Sequence, residues 1–116
     1  MLRKHLTSYK YAARGIWIAL RHEPNMIVHV LAAIAVVFVN YLLNISRQDW
    51  IITLMLIGVV FTAEIFNTAI ETLADRITKD QDPMIGKAKD LAAGAVLMIG
   101  LIAATCAVIV YWPYLF

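Results

Sequence analysis

The sequence predicts an all-α integral membrane protein, with three transmembrane helices preceded by an amphipathic N-terminal helix on the membrane surface. Three observations carry that expectation. Hydrophobic residues fill 62% of the 116 positions and charged residues 16%, far from the balance of a soluble domain. Long apolar runs recur within 26–43, 50–77 and 89–112. Lys and Arg gather beside alternate ends of those runs, as they do in a multi-pass chain. The length allows one domain, 1–116. A net charge of +2, with no basic patch interleaved with aromatics, argues against a nucleic-acid binder. Cys106 has no second cysteine to pair with and reads as a packing residue.

In residues 1–23, Leu2, Leu6, Tyr9, Ala13, Ile16 and Leu20 recur at three- and four-residue steps. Arg3, Lys4, Lys10, Arg14 and Arg21 occupy other positions, a pattern suited to an anionic membrane surface or to packing on the bundle itself. A signal peptide is not expected, because the apolar run starts late and no small-residue cleavage site follows. In 26–43 only His29 and Asn40 are strongly polar, and Asn44–Ile45–Ser46 opens a short connection. The second run is uncharged from Trp50 to Ala63, and its helix continues through Asn67 and Glu71 to about Ile77. It can cross a bilayer only if its acidic residues face other helices or the interface. The third span, with Lys89 and Asp90 at its start, is uncharged from Leu91 to Trp112. Its Ala92–Ala93–Gly94–Ala95 run suits a close helix contact. Pro24 and Pro83 mark helix ends.

Five of the ten Lys and Arg residues precede the first span. Arg76, Lys79, Lys87 and Lys89 flank the second connection, and only Arg47 lies in the first. The positive-inside rule then puts the N-terminus and the loop around Thr78–Lys89 in the cytoplasm and the C-terminus outside. Trp50, Tyr111, Trp112 and Tyr114 suit an aromatic belt at the opposite interface.

Glu64, Asn67, Glu71 and Asp75 are spaced three, four and four residues apart, along one stripe of a helix. A carboxylate at membrane depth costs about 2.5–3.5 kcal/mol on insertion scales, so it marks a functional site by default. Glu23, the stripe, Asp80, Asp82, Lys89 and Asp90 all fall at the cytosolic level of the expected topology. Such carboxylates with one or two cations suit a magnesium nucleotide, because Mg²⁺ is held by one or two carboxylates together with phosphate oxygens. Structural explanations compete with this. Glu64 can pair with Lys89, Asp75 can belong to a solvated helix end, and His29 reads as a satisfied or interfacial histidine. Gly86–Lys87 lacks the earlier glycine and the Ser/Thr of a P-loop. A proton- or ion-conducting oligomer would use Glu64 and Glu71 as relay sites but has no need of Lys89–Asp90.

The block Glu64-Ile-Phe-Asn67-Thr-Ala-Ile-Glu71, then Asp75-Arg76, then Lys87-Ala-Lys89-Asp90-Leu-Ala-Ala-Gly94-Ala-Val resembles the prokaryotic diacylglycerol kinase family of small membrane lipid kinases. Tyr11, Gly15 and Glu23 extend the resemblance to the N-terminal part, and the Ala-Ala-Gly-Ala-Val ending looks more like the undecaprenol kinase branch. It implies ATP- and Mg²⁺-dependent phosphorylation of a lipid alcohol, undecaprenol or alternatively diacylglycerol, by a homotrimer in the bacterial inner membrane with sites at subunit interfaces. Glu64 would be the general base and Asn67 would orient the reacting groups. Glu23 and Glu71 would hold metal with the ATP phosphates. Tyr11, Asp80, Gln81, Asp82, Lys89 and Asp90 would contact nucleotide, and Trp17, Glu64 and Ala93 the lipid. Asp82 stands where the diacylglycerol kinase branch has a histidine, and His29 where it has a carboxylate.

Overall fold

A computed structural model describes residues 1–116 as four helices: α1 Leu2–His22, α2 Pro24–Leu43, α3 Arg47–Ile77 and α4 Pro83–Leu115. Helices α2, α3 and α4 are each long and apolar enough to cross a membrane. At 1.5 Å per residue α3 is about 46 Å long, which exceeds a hydrocarbon layer of about 30 Å. Measured from Trp50, Glu64 lies about 21 Å along the axis, Glu71 about 32 Å and Asp75 about 38 Å. A layer beginning at Trp50 would therefore end between Glu64 and Asp75.

The helices start earlier than the apolar runs suggest, and the capping explains it. Helix α4 begins at Pro83, not at residue 89, because the Asp82 side chain accepts from the backbone N–H groups of Met84 (2.9 Å) and Ile85 (3.1 Å). Proline at the first helical position loses no hydrogen bond. The helix ends at Leu115 rather than 112, running through Pro113. Lys89 and Asp90 thus sit in the second turn of α4, not at its start. Helix α3 begins at Arg47, not at residue 50, with the Ser46 hydroxyl accepting from the Asp49 N–H at 3.1 Å. Helix α2 begins at Pro24, and an extended Glu23 (φ −95°, ψ 116°) separates it from α1.

Asn44 closes α2 in the left-handed region (φ 50°, ψ 51°), and the Ile45 N–H returns to the Asn40 carbonyl at 3.3 Å. Ile45 is buried beneath this turn, as a Schellman ending favours. The turn sends α3 back antiparallel to α2, and α4 returns antiparallel to α3. Only 10 of 116 residues are buried, so the chain closes only a small core of its own and leaves most of its apolar side chains exposed. Helix α1 touches α2 and α3 near Ala19, which is buried, while Leu2, Leu6, Tyr9, Ile16 and Leu20 remain exposed. Within the run of small residues, Ala92 is buried, but Ala93, Gly94 and Ala95 are open and nothing lies within 4 Å of a Cβ built at Gly94. The close contact expected of that run is made inside the chain by Ala92 alone.

Candidate active site

The acidic stripe of α3 has a gradient of burial. Glu64 and Asn67 are buried, Glu71 is half-buried and Asp75 is exposed. The Glu64 carboxylate meets His29 of α2, with Oε2 3.2 Å from Nε2. It does not pair with Lys89, the structural role that the sequence left open. Lys89 instead forms an ion pair with Asp75, whose carboxylate is thereby more than a solvated helix end. One turn on from Glu64, Asn67 Nδ2 donates to Glu71 Oε1 at 3.3 Å. Asn67 Oδ1 and the neighbouring Thr68 hydroxyl are buried with no partner. Buried polar atoms are nearly always paired, so an orphaned acceptor beside two carboxylates calls for an explanation.

The remaining residues singled out by sequence are spread around this row. Glu23 is half-buried at the break between α1 and α2. Thr78, Lys79, Asp80, Gln81, Asp82 and Lys89 line one polar groove at the α3–α4 connection. Asp90 is exposed, and so is Ala93. Tyr11 and Trp17 lie exposed on α1, where Trp17 carries the guanidinium of Arg21 5.7 Å from its ring centre. The chain therefore joins Glu64, Asn67 and Glu71 along one helix and brings Lys89 to the polar loop. Tyr11 and Trp17 make no hydrogen bond to that row.

The donors suit a hard cation. Carboxylate oxygens are the ligands Mg²⁺ takes, and Glu71 keeps oxygen capacity beyond its one bond to Asn67. No group of three or more His, Cys, Asp or Glu side chains comes together within the chain. A metal held here would take its other ligands from phosphate oxygens or water, which is how Mg²⁺ accompanies nucleotides.

The family described as prokaryotic diacylglycerol kinase matches residues 10–111. The chain belongs to that family. Among its relatives is the undecaprenol kinase of Bacillus subtilis, 39% identical over 114 residues, which cover 98% of this chain and 93% of the relative. A diacylglycerol kinase of Synechocystis is 33% identical over 84% of this chain and 57% of its own length. The diacylglycerol kinase of Escherichia coli K12 is 26% identical, covering 90% of this chain and 85% of the relative.

Against that family background, two features escaped the sequence reading. The first is the direct bond from His29 to Glu64. Equal lengths counted from the α2–α3 turn bring His29 level with Phe61, so its bond to Glu64, one turn further on, depends on an offset that the sequence does not carry. The second is the polar cluster at the other end of α3. Asn40 Nδ2 donates to the Thr53 hydroxyl at 2.9 Å, and the Tyr111 hydroxyl donates to Asn40 Oδ1. The Tyr114 hydroxyl donates to Asp49 Oδ2 at 2.6 Å and accepts from the Ser46 N–H at 2.9 Å. Both tyrosines were expected to serve as belt anchors; each is also an inward hydrogen-bonding group.

Proposed function

We propose that this protein is an ATP-dependent membrane lipid kinase that phosphorylates undecaprenol, with residues 1–116 acting as one catalytic domain. The observation that carries the reading is the buried Glu64–Asn67 row on an apolar span, with an unpaired Asn67 Oδ1 and a half-buried Glu71 beside it. The similarity to the Bacillus subtilis undecaprenol kinase over nearly the whole chain supports the choice of lipid. Diacylglycerol is the second reading, favoured by relatives that carry that name.

Glu64 takes the proton of the lipid hydroxyl as its oxygen bonds to the γ-phosphorus of ATP and the bond from that phosphorus to the bridging oxygen of ADP breaks. Phosphoryl transfer asks a protein mainly for positioning and charge neutralisation. Asn67 orients the reacting groups: its Nδ2 holds Glu71, and its free Oδ1 can accept from a metal-bound water. Glu23 and Glu71 would hold Mg²⁺, which neutralises phosphate charge when bound. Lys89, Asp90, Tyr11 and the loop Asp80–Asp82 bind nucleotide, and Trp17 and Ala93 face the lipid. The depth of Glu64 suits a hydroxyl arriving from the bilayer, while the polar loop suits ATP arriving from water.

Helix α1 lies on the cytosolic surface of the inner membrane, and three copies assemble with sites at their interfaces. Support comes from the exposed apolar side chains of α1 and from the open groove along α4 lined by Gly86, Gly94, Ala95 and Met98. Glycine and alanine, as at Gly86, Gly94 and Ala95, let membrane helices approach closely. The N-terminus and the α3–α4 loop are cytosolic, following the Lys and Arg distribution. The deciding experiment is ATP consumption in bilayers with undecaprenol, with diacylglycerol and with neither. Turnover with undecaprenol well above diacylglycerol is expected; the reverse order would select the second reading, and no lipid-dependent turnover would end both. Labelling from outside sealed cells of a cysteine placed at Lys79, in a background lacking Cys106, would reverse the orientation.

A further inference from the structure

The Glu64 carboxylate has one hydrogen bond in the chain, and it comes from a histidine. A carboxylate acting as a base only accepts, so in that role the bond is donated by Nε2–H of His29. The side chains differ in access: that of His29 is 24% exposed and that of Glu64 5%. Phe61, one turn before Glu64 on α3, meets the imidazole edge-on, with ring centres 6.3 Å apart and planes at 63°. Ala32, Ala33, Val36 and Phe61 share with the ring an apolar cavity of about 230 Å³ between the helices. The ring therefore has one hydrogen-bond partner in the chain, reached through Nε2.

A purely structural account of this bond is weak. A single hydrogen bond between membrane helices contributes little on average. Helices α2 and α3 are already tied by the bond from Asn40 to Thr53 and by the short turn between them. Placing an ionisable pair at membrane depth for a tether the turn already supplies gains little. Occupying one specific oxygen of the proposed base gains more. With Oε2 engaged by His29, Oε1 is the oxygen left for a substrate hydroxyl, and the carboxylate plane is fixed before the lipid arrives.

We infer that His29 is a positioning residue for phosphoryl transfer, holding Glu64 by its Oε2 so that Oε1 receives the hydroxyl proton. The inference rests on Glu64 being the base. A carboxylate free to rotate spends much of its time in unproductive orientations, and fixing a reacting group is how a supporting shell contributes to rate. His29 touches no reacting atom, so its whole effect passes through Glu64.

The test is a cycle of His29→Ala and Glu64→Gln on the assembled protein in bilayers, with His29→Gln as the conservative variant. Gln can present its amide N–H near the position of Nε2. His29→Ala should lower kcat about 10- to 100-fold, the loss typical when the group orienting a ligating residue is removed. The KM for ATP should hold. His29→Gln should recover most of the rate, and His29→Ala should cost nothing further in a Glu64→Gln background. Equal losses in both backgrounds would overturn the inference, because His29 would then act elsewhere. So would a His29→Ala enzyme of full activity, or a His29→Gln enzyme that assembles yet runs at the alanine rate. If alanine prevents assembly, the assembled glutamine variant decides by its rate. A fully active Glu64→Gln enzyme would instead remove the base itself, a separate failure that the same set of variants identifies.

Discussion

Helix α3 buries polar side chains at both ends, and the two ends differ in whether those groups find partners. Near the α2–α3 turn, Thr53, Asn40, Asp49, Tyr111 and Tyr114 pair with one another or with backbone. Near the α3–α4 connection, Asn67 Oδ1 and the Thr68 hydroxyl are left over, and Glu71 is engaged only by Asn67. A satisfied network holds helices in register, whereas unsatisfied polar atoms at membrane depth are retained at a cost. The contrast teaches where to look for chemistry: not where polar residues are most numerous, but where their bonding is incomplete. Substitutions at the first end should cost stability, and at the second end turnover.

The largest effect is expected at Glu64. Glu64→Gln keeps the size and the hydrogen-bonding shape but cannot accept the hydroxyl proton as a carboxylate does. Turnover should fall by roughly 10²–10⁴-fold, the usual worth of a general base. Nucleotide affinity and oligomer size should persist, because Glu23, Glu71 and Lys89 remain. Turnover, ATP binding and mass on one preparation check this; a loss of assembly with intact turnover per assembled unit would move Glu64 to the structural class.

Next comes Asn67→Ala, which removes both the donor to Glu71 and the orphaned acceptor. A roughly 10- to 100-fold loss is expected, the range seen for partners that orient metal-binding groups. The Mg²⁺ concentration giving half-maximal rate should rise, and it should rise further in Glu71→Ala and Glu23→Ala. An unchanged Mg²⁺ requirement in all three would take these residues out of the metal site.

The spans and the acidic stripe were legible because helical periodicity and hydropathy report which face avoids lipid. Glu64, Asn67 and Glu71 fall on that face as expected. The start of α4 was legible too, in Asp82-Pro83, an N-cap followed by a first-turn proline, whereas hydropathy alone points to Lys89. Partner choice was not legible. Whether Lys89 meets Glu64 or Asp75 depends on the axial offset between α3 and α4, and periodicity along one helix carries no information about its register against another. The same holds for Tyr111 and Tyr114, whose position near a helix end fits a membrane anchor equally well.

At the satisfied end, Tyr111→Phe should leave Asn40 Oδ1 without its donor and change nothing at Glu64. A stability loss of about 0.6–1.7 kcal/mol is expected, within the span measured for hydrogen bonds between membrane helices. Thermal unfolding should move down while kcat per folded enzyme holds. A kcat loss with unchanged unfolding would break the division between the two ends.

The smallest effect is expected for Asp75→Asn. The ion pair with Lys89 lies at the margin of the unsatisfied end, with side chains 37% exposed for Lys89 and 49% for Asp75. Exposed pairs contribute about 0–1 kcal/mol, because water screens the attraction and two long side chains lose freedom. Neutralising Asp75 should therefore barely move stability. It also frees the Lys89 ammonium, a compact point charge on a flexible stem that reaches the groove lined by Asp80, Gln81 and Asp82. If Lys89 serves nucleotide, Asp75→Asn should hold or lower the KM for ATP, while Lys89→Met should raise it. A raised KM in both variants would mean that the pair acts as a unit, with Asp75 aiming the lysine. Equal KM values in wild type and both variants would return the pair to the structural side of the comparison.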